Sequence, residues 1–261
     1  MKKYFSFLII AVLILLTSCT TSDTNQIKLP KLDGLTRAEI TEKLDGLEIE
    51  YVFYFDNSQY YEDKDLFIRY GNGYTGGSYV DKGTFIRIYT TPLELTFKIS
   101  DQVKIDFDYE GKSFINDGVG KVELVSTTDG DTARFKDIIT GEEFRLRFLG
   151  IDTPETYGQQ DPWGNAAKIF CKEKLTKAKE IVLEAEGART EGYGRYLGWV
   201  WLDGVLYNLE VVEEAYSNSN CASNSKYYDY FIQAAINTSK TGRRFYGEID
   251  PNYDYENKCF K

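Results

Sequence analysis

Histidine is absent from all 261 residues of this sequence. Without imidazole there is no histidine general base, no phosphohistidine intermediate and no histidine ligand for zinc. Any hydrolytic chemistry must come from carboxylates, arginine, tyrosine, serine or a hard metal ion. Cysteine is scarce, at Cys19, Cys171, Cys221 and Cys259, and no two of these stand in the Cys-x-x-Cys spacing from which structural zinc sites are built. Positive charge is in deficit: 31 Lys and Arg against 41 Asp and Glu leave a net charge of −10. That balance excludes a protein that coats nucleic acid through a broad basic surface, because such binding neutralises many phosphates at once. It leaves room for a small cationic site on an acidic body, whose acidity otherwise serves solubility. Apolar residues are not lacking: at 42% hydrophobic, the chain has enough to bury the cores of one or two domains.

The first residues stand apart. Lys2 and Lys3 precede an apolar run from Leu8 to Leu16, too short for a comfortable membrane span and suited to an export signal. The run ends in Leu16-Thr17-Ser18-Cys19, which resembles a bacterial lipobox. The resemblance implies a signal over 1–18 and lipidation of Cys19, holding the protein to the outer face of the bacterial cell membrane. Each buried CH₂ of such a lipid contributes about 0.8 kcal/mol. A plain secretory signal and an uncleaved anchor are the alternatives. With Cys19 set aside an odd number of cysteines remains, so at least one thiol stays unpaired, and no pairing is assigned. Residues 19–26 are short and polar and read as a tether.

Residues 27–91 read as a small α/β module. Thr36 with Glu39 predicts a capped helix, Ala38, Ile40 and Leu44 give it an apolar face, and Gly46 stops it. Leu47 to Phe55, Asp65 to Tyr70 and Thr84 to Tyr89 have strand composition, with glycine-marked turns between Gly71 and Gly83. The opening Leu29-Pro30-Lys31-Leu32-Asp33-Gly34-Leu35-Thr36, and Lys82-Gly83-Thr84 before the last strand, resemble a PASTA module. That resemblance implies binding of cell-wall peptidoglycan through 27–91. Tyr70-Gly71-Asn72-Gly73-Tyr74 replaces the usual proline-rich segment, and a plain spacer is the other reading. Residues 92–118 read as a linker with one or two extra strands, from the alternation Leu95 to Ile99.

A second domain is expected over 119–248, followed by a tail over 249–261. Val122 to Ser126, Thr132 to Lys136, Glu143 to Leu149, Glu180 to Ala185 and Arg195 to Leu202 carry strand composition. Helices are expected over Trp163 to Lys177, Leu206 to Ala215 and Tyr227 to Thr238. Five strands with one interrupting helix predict an α+β, mainly β class: an OB-fold five-stranded barrel with three helices.

Three clusters carry chemistry. Asp129-Gly130-Asp131-Thr132 is an acidic turn. In Arg147-Phe148-Leu149-Gly150-Ile151-Asp152-Thr153-Pro154-Glu155, alternation sets Arg147 opposite Phe144, Leu146 and Phe148, and the Gly and Pro then present Asp152 and Glu155 on a loop. Asp131 and Asp152, with a carbonyl and waters, offer the oxygen ligands that a hard divalent cation takes. Tyr193-Gly194-Arg195 brings a guanidinium, whose planar donor fork matches phosphate oxygens.

Together, from Val119 to about Gly247, these clusters resemble the thermonuclease family, as do Trp163-Gly164-Asn165-Ala166-Ala167 and Asn208-Leu209-Glu210. The resemblance implies Ca²⁺ on Asp131, Asp152 and the Thr153 carbonyl, water activation by Glu155, and phosphate held by Arg147 and Arg195. It places Tyr193 near a terminal phosphate of the substrate. The implied reaction is Ca²⁺-dependent hydrolysis of DNA, and of RNA, to 3′-phosphates, by a monomer. Ser217-Asn218-Ser219-Asn220-Cys221 replaces the family's tyrosine-rich base-stacking segment, and Glu191-Gly192 stands where basic residues are expected, which weakens substrate attraction. The alternative is a non-catalytic surface lipoprotein that binds nucleic acid or wall fragments.

Overall fold

A computed structural model describes residues 25–261; the expected export signal, Cys19 and most of the expected tether lie outside the described residues. The first unit comprises β1 (Gln26–Lys28), α1 (Arg37–Leu44), β2 (Glu50–Phe55), β3 (Phe67–Tyr70), β4 (Tyr79–Asp81) and β5 (Phe85–Thr90). Helix α1 starts at a full capping box: the Thr36 hydroxyl accepts from Glu39 N, and the Glu39 carboxylate accepts from Thr36 N at 2.9 Å. Such a cap contributes about 1 kcal/mol. Ile40 and Leu44 of α1 pack on Ile86 and Ile88 of β5, all four buried. Strand β5 is central, parallel to β2 and antiparallel to β3, while β1 and β4 form a separate antiparallel pair.

No strand occurs among the described residues of 92–118, contrary to the alternation at Leu95 to Ile99. There the backbone turns instead of pairing, because Ile99 N and Ser100 N both donate to the buried Glu213 carboxylate. A single helical turn follows over Ser100–Gln102, and Ile99 and Val103 enter the core of the second unit.

That second unit runs through α2 (Phe114–Asp117), β6 (Val119–Thr127), β7 (Thr132–Asp137), β8 (Glu143–Phe148), α3 (Gly164–Lys177), β9 (Ile181–Glu184), β10 (Tyr196–Leu202), β11 (Val205–Leu206), α4 (Tyr207–Glu213) and α5 (Tyr228–Ser239). Strands β6, β7 and β8 form an antiparallel meander, β10 adds parallel to β8, and β9 closes the ring by pairing with both β10 and β6. This is the expected five-stranded OB-type barrel with α3 between its third and fourth strands. Its centre is aromatic, with Phe114, Phe135, Phe148, Trp199 and Trp201 at most 2% exposed. Each such side chain contributes on the order of 1.5–3 kcal/mol by leaving water.

The last residues, 249–261, carry a short hairpin of β12 (Tyr253–Asp254) and β13 (Cys259–Phe260). Tyr253 donates its hydroxyl to Gln160 O at 2.8 Å, and Phe260 N donates to Gln160 Oε1 at 2.9 Å. The hairpin therefore braces the loop that follows Glu155. Cys171, Cys221 and Cys259 are unbridged. Among the described residues no helix is long and apolar enough to cross a membrane.

Candidate active site

The candidate residues meet where β7 begins and β8 ends. Thr132 and Arg147 are register partners across these two strands, which brings Asp131 beside the guanidinium. Arg147 Nη1 lies 2.8 Å from Asp131 Oδ2, and Nη2 lies 2.5 Å from Asp152 Oδ1. Nη1 is buried and has no aligned hydrogen-bond acceptor, so one of its N–H groups lacks the partner that a buried donor requires.

Asp131 is held from several sides. Its Oδ2 accepts Thr153 N at 2.8 Å and Thr153 Oγ1 at 3.0 Å, and its Oδ1 accepts the Thr132 hydroxyl at 3.1 Å. The approach of the 152–155 loop depends on Gly130, where a Cβ would fall 2.8 Å from the Thr153 side chain. Burial pushes the Asp131 carboxyl up to about 6, against the pull of Arg147 and with help from Asp129.

Asp152 is the exposed partner, with its side chain 67% accessible. Its backbone is fixed by Ser217, whose hydroxyl accepts Asp152 N at 2.9 Å. Thus the segment that departs from the family's aromatic one supplies a support for the Asp152 loop. Glu155 is exposed on the same loop, where its backbone N–H donates to Asp161 Oδ2 at 3.3 Å and its carbonyl accepts Asp161 N at 3.0 Å. Beneath it Gly164 is required, because a Cβ there would sit 2.6 Å from Glu155 O. Asp152, Thr153 and Glu155 line one cavity of about 490 Å³ together with Trp163, Arg244 and Phe245. Trp163 adopts a left-handed φ of 69° and is pinned by donating its backbone N–H to Asp250 Oδ2 at 2.7 Å and its indole N–H to Glu248 O at 2.8 Å.

Arg195 approaches from the loop before β10. Its Nη1 donates to Thr132 Oγ1 at 3.4 Å, and its Nε pairs with Glu191. That hydrogen bond to Glu191 raises the guanidinium pKa further. Glu191 is therefore bound to Arg195 within its own turn, where Gly194 N donates to Glu191 O at 3.0 Å. Tyr193 is 87% exposed, with the Arg195 guanidinium 5.9 Å from its ring centre. Thr132, Glu191, Ser217 and the Trp163 brace are contacts that sequence reasoning missed. A hydroxyl following Asp131 and an acid four residues before Arg195 were the only signals for the first two.

The donor set accords with a hard cation. Asp131 and Asp152 flank one guanidinium, and every available donor is oxygen, the ligand type a hard cation takes. No group of three or more Asp, Glu, Cys or His is gathered as a metal site among the described residues, so carbonyl and water would complete the shell.

A closed OB-type barrel with two guanidinium groups and two carboxylates gathered by neighbouring strands defines the class. Residues 145–245 match the family described as staphylococcal nuclease homologue. The chain is 33% identical over 136 residues to the thermonuclease of Staphylococcus intermedius, covering 51% of this chain and 74% of that protein. It is also 33% identical over 139 residues to the thermonuclease of Staphylococcus hyicus, covering 51% and 79%. Endonuclease YncB of Bacillus subtilis is 32% identical over 115 residues, covering 42% of this chain and 54% of that protein. The chain belongs to the staphylococcal nuclease family.

Proposed function

We propose that this protein is a Ca²⁺-dependent nuclease that hydrolyses DNA, and RNA, to 3′-phosphate products. The observation that carries the reading is the linked set Asp152, Arg147, Asp131, Thr132 and Arg195, which draws two guanidinium groups to one acidic corner of the barrel. A phosphate oxygen is the acceptor that a guanidinium fork fits.

Asp131, Asp152 and the Thr153 carbonyl would hold the cation, which when bound supplies positive charge to the phosphate. Glu155 takes a proton from water as the water oxygen bonds to phosphorus. The bond from phosphorus to the 5′ oxygen then breaks, and that oxygen gains a proton from solvent. Arg147 and Arg195 neutralise the charge that builds on the phosphate oxygens in between. In a chain without histidine, Glu155 suits the role of base because it is exposed to water on the loop that carries two of the ligands.

A DNA-digestion assay tests the reading. Glu155→Ala is expected to lower the rate by roughly 10²–10⁴-fold and Arg195→Ala by roughly 10²–10³-fold, and chelation of Ca²⁺ is expected to abolish cleavage. Undiminished cleavage in chelator would end the metal's role, and full activity in both variants would end the proposal.

A further inference from the structure

The three-stranded sheet of the first unit has two faces of different chemistry. One face turns Ile86 and Ile88 onto α1. On the other, the register sets Val52 beside Arg87 and Tyr54 beside Tyr89, and Arg69 of β3 pairs with Tyr89 from the opposite edge. Tyr54 and Tyr89 are stacked, with ring centres 5.7 Å apart and 28° between planes. The Arg69 guanidinium lies 3.6 Å from the centre of the Tyr89 ring, and that of Arg87 lies 5.9 Å from Tyr54. The face is open to solvent: Tyr54 is 44% and Phe85 47% exposed.

We propose that this face binds single-stranded nucleic acid. Unpaired bases stack on flat aromatic rings and on guanidinium planes, and every base has a π-face, so such platforms tolerate sequence. Tyr54 and the outer plane of Arg69, both backed by the Tyr89 ring between them, offer those surfaces, and Arg69 and Arg87 add positive charge for the backbone. Asp56, 3.5 Å from Arg69, and Glu50, in register with Phe85, are the acidic neighbours. They confine the attraction to about two phosphates, which suits weak capture of a strand rather than tight storage. The proposal does not rest on the nuclease reading, because capture is measured with cleavage blocked.

The test uses the full chain in chelator with a fluorescent 20-residue oligothymidylate, a duplex and a soluble peptidoglycan fragment as probes, read by anisotropy. Tyr54→Ala with Tyr89→Ala is expected to weaken binding of the single strand at least tenfold, while the double Phe variant, which keeps both rings, binds as the parent does. Arg69→Ala with Arg87→Ala is expected to reduce the slope of log affinity against log salt by about 1.4, or about 0.7 for each of two phosphates. Should the alanine pair fail to melt as a folded protein, the phenylalanine and arginine pairs decide. Unchanged single-strand binding in a folded alanine pair overturns the proposal, as does an unchanged salt slope. Loss confined to the peptidoglycan fragment also overturns it, in favour of a wall-binding face.

Discussion

At the scale of residues, a neutral hydroxyl joins the two halves of the site. Thr132 donates to Asp131 and accepts from Arg195, so the acidic and basic groups share one small side chain whose position is set by β-strand register. Glu191 occupies the Nε edge of Arg195, while Nη1 donates to Thr132. The pair is partly exposed, so its contribution to stability is small; its effect is on direction. Glu191→Ala is therefore expected to lower kcat about tenfold, the equivalent of a modest charge-assisted hydrogen bond, while Glu191→Gln retains most activity because its amide oxygen still accepts from Nε. Steady-state kinetics on a short DNA substrate would check this, and an alanine variant faster than the parent would show that Glu191 holds Arg195 back. That Asp131, Arg147, Asp152 and Arg195 come together was legible from motif order and spacing. Thr132, Glu191 and Ser217 were not, since a hydroxyl or a lone acid in sequence does not reveal which carboxylate or guanidinium it meets across strands.

At the scale of elements, Asp137 fastens α2 to the end of β7. Burial alone would raise its carboxyl, but donation from the backbone of Thr140, the Ser113 hydroxyl and the backbones of Ile115 and Ile139 outweighs it and holds the pKa below the usual carboxylate range. A depressed pKa in the folded state gives stability that is complete above the unfolded-state value of about 4 and is lost as pH falls through the folded-state value. Asp137→Asn is expected to cost roughly 1–3 kcal/mol at pH 7, with the difference from the parent shrinking below about pH 4. Denaturant melts at pH 7 and pH 3 would show it; a gap of equal size at both would contradict the assignment. The barrel strands and α3, α4 and α5 were legible because aromatic and β-branched runs, or apolar residues at helical spacing, mark them. By contrast, β1 and β4 are three-residue strands made by pairing Gln26 with Asp81, a contact too distant in sequence to leave a local pattern. The Leu95 to Ile99 alternation misled because the Glu213 carboxylate, far along the chain, claims the backbone donors there.

At the scale of the whole molecule, the two units meet through the stretch that also braces the Glu155 loop. Lys64 of the first unit pairs with Glu248, whose backbone carbonyl holds the Trp163 indole, and Leu93 N donates to Thr241 O at 2.7 Å. Tyr60 also approaches Trp163, with ring centres 6.4 Å apart. On a chain of net charge −10, the aromatic sheet face carries Arg69 and Arg87, and the β7–β8 site carries Arg147 and Arg195. The central claim, that Arg147 and Arg195 serve one phosphate beside a cation on Asp131 and Asp152, is tested most directly by a crystal structure with Ca²⁺ and a non-cleavable oligonucleotide analogue. It should show both guanidinium groups hydrogen-bonded to a single phosphate, one oxygen of which meets the ion. A phosphate bound elsewhere, with Arg147 still spanning the two aspartates, would contradict the account.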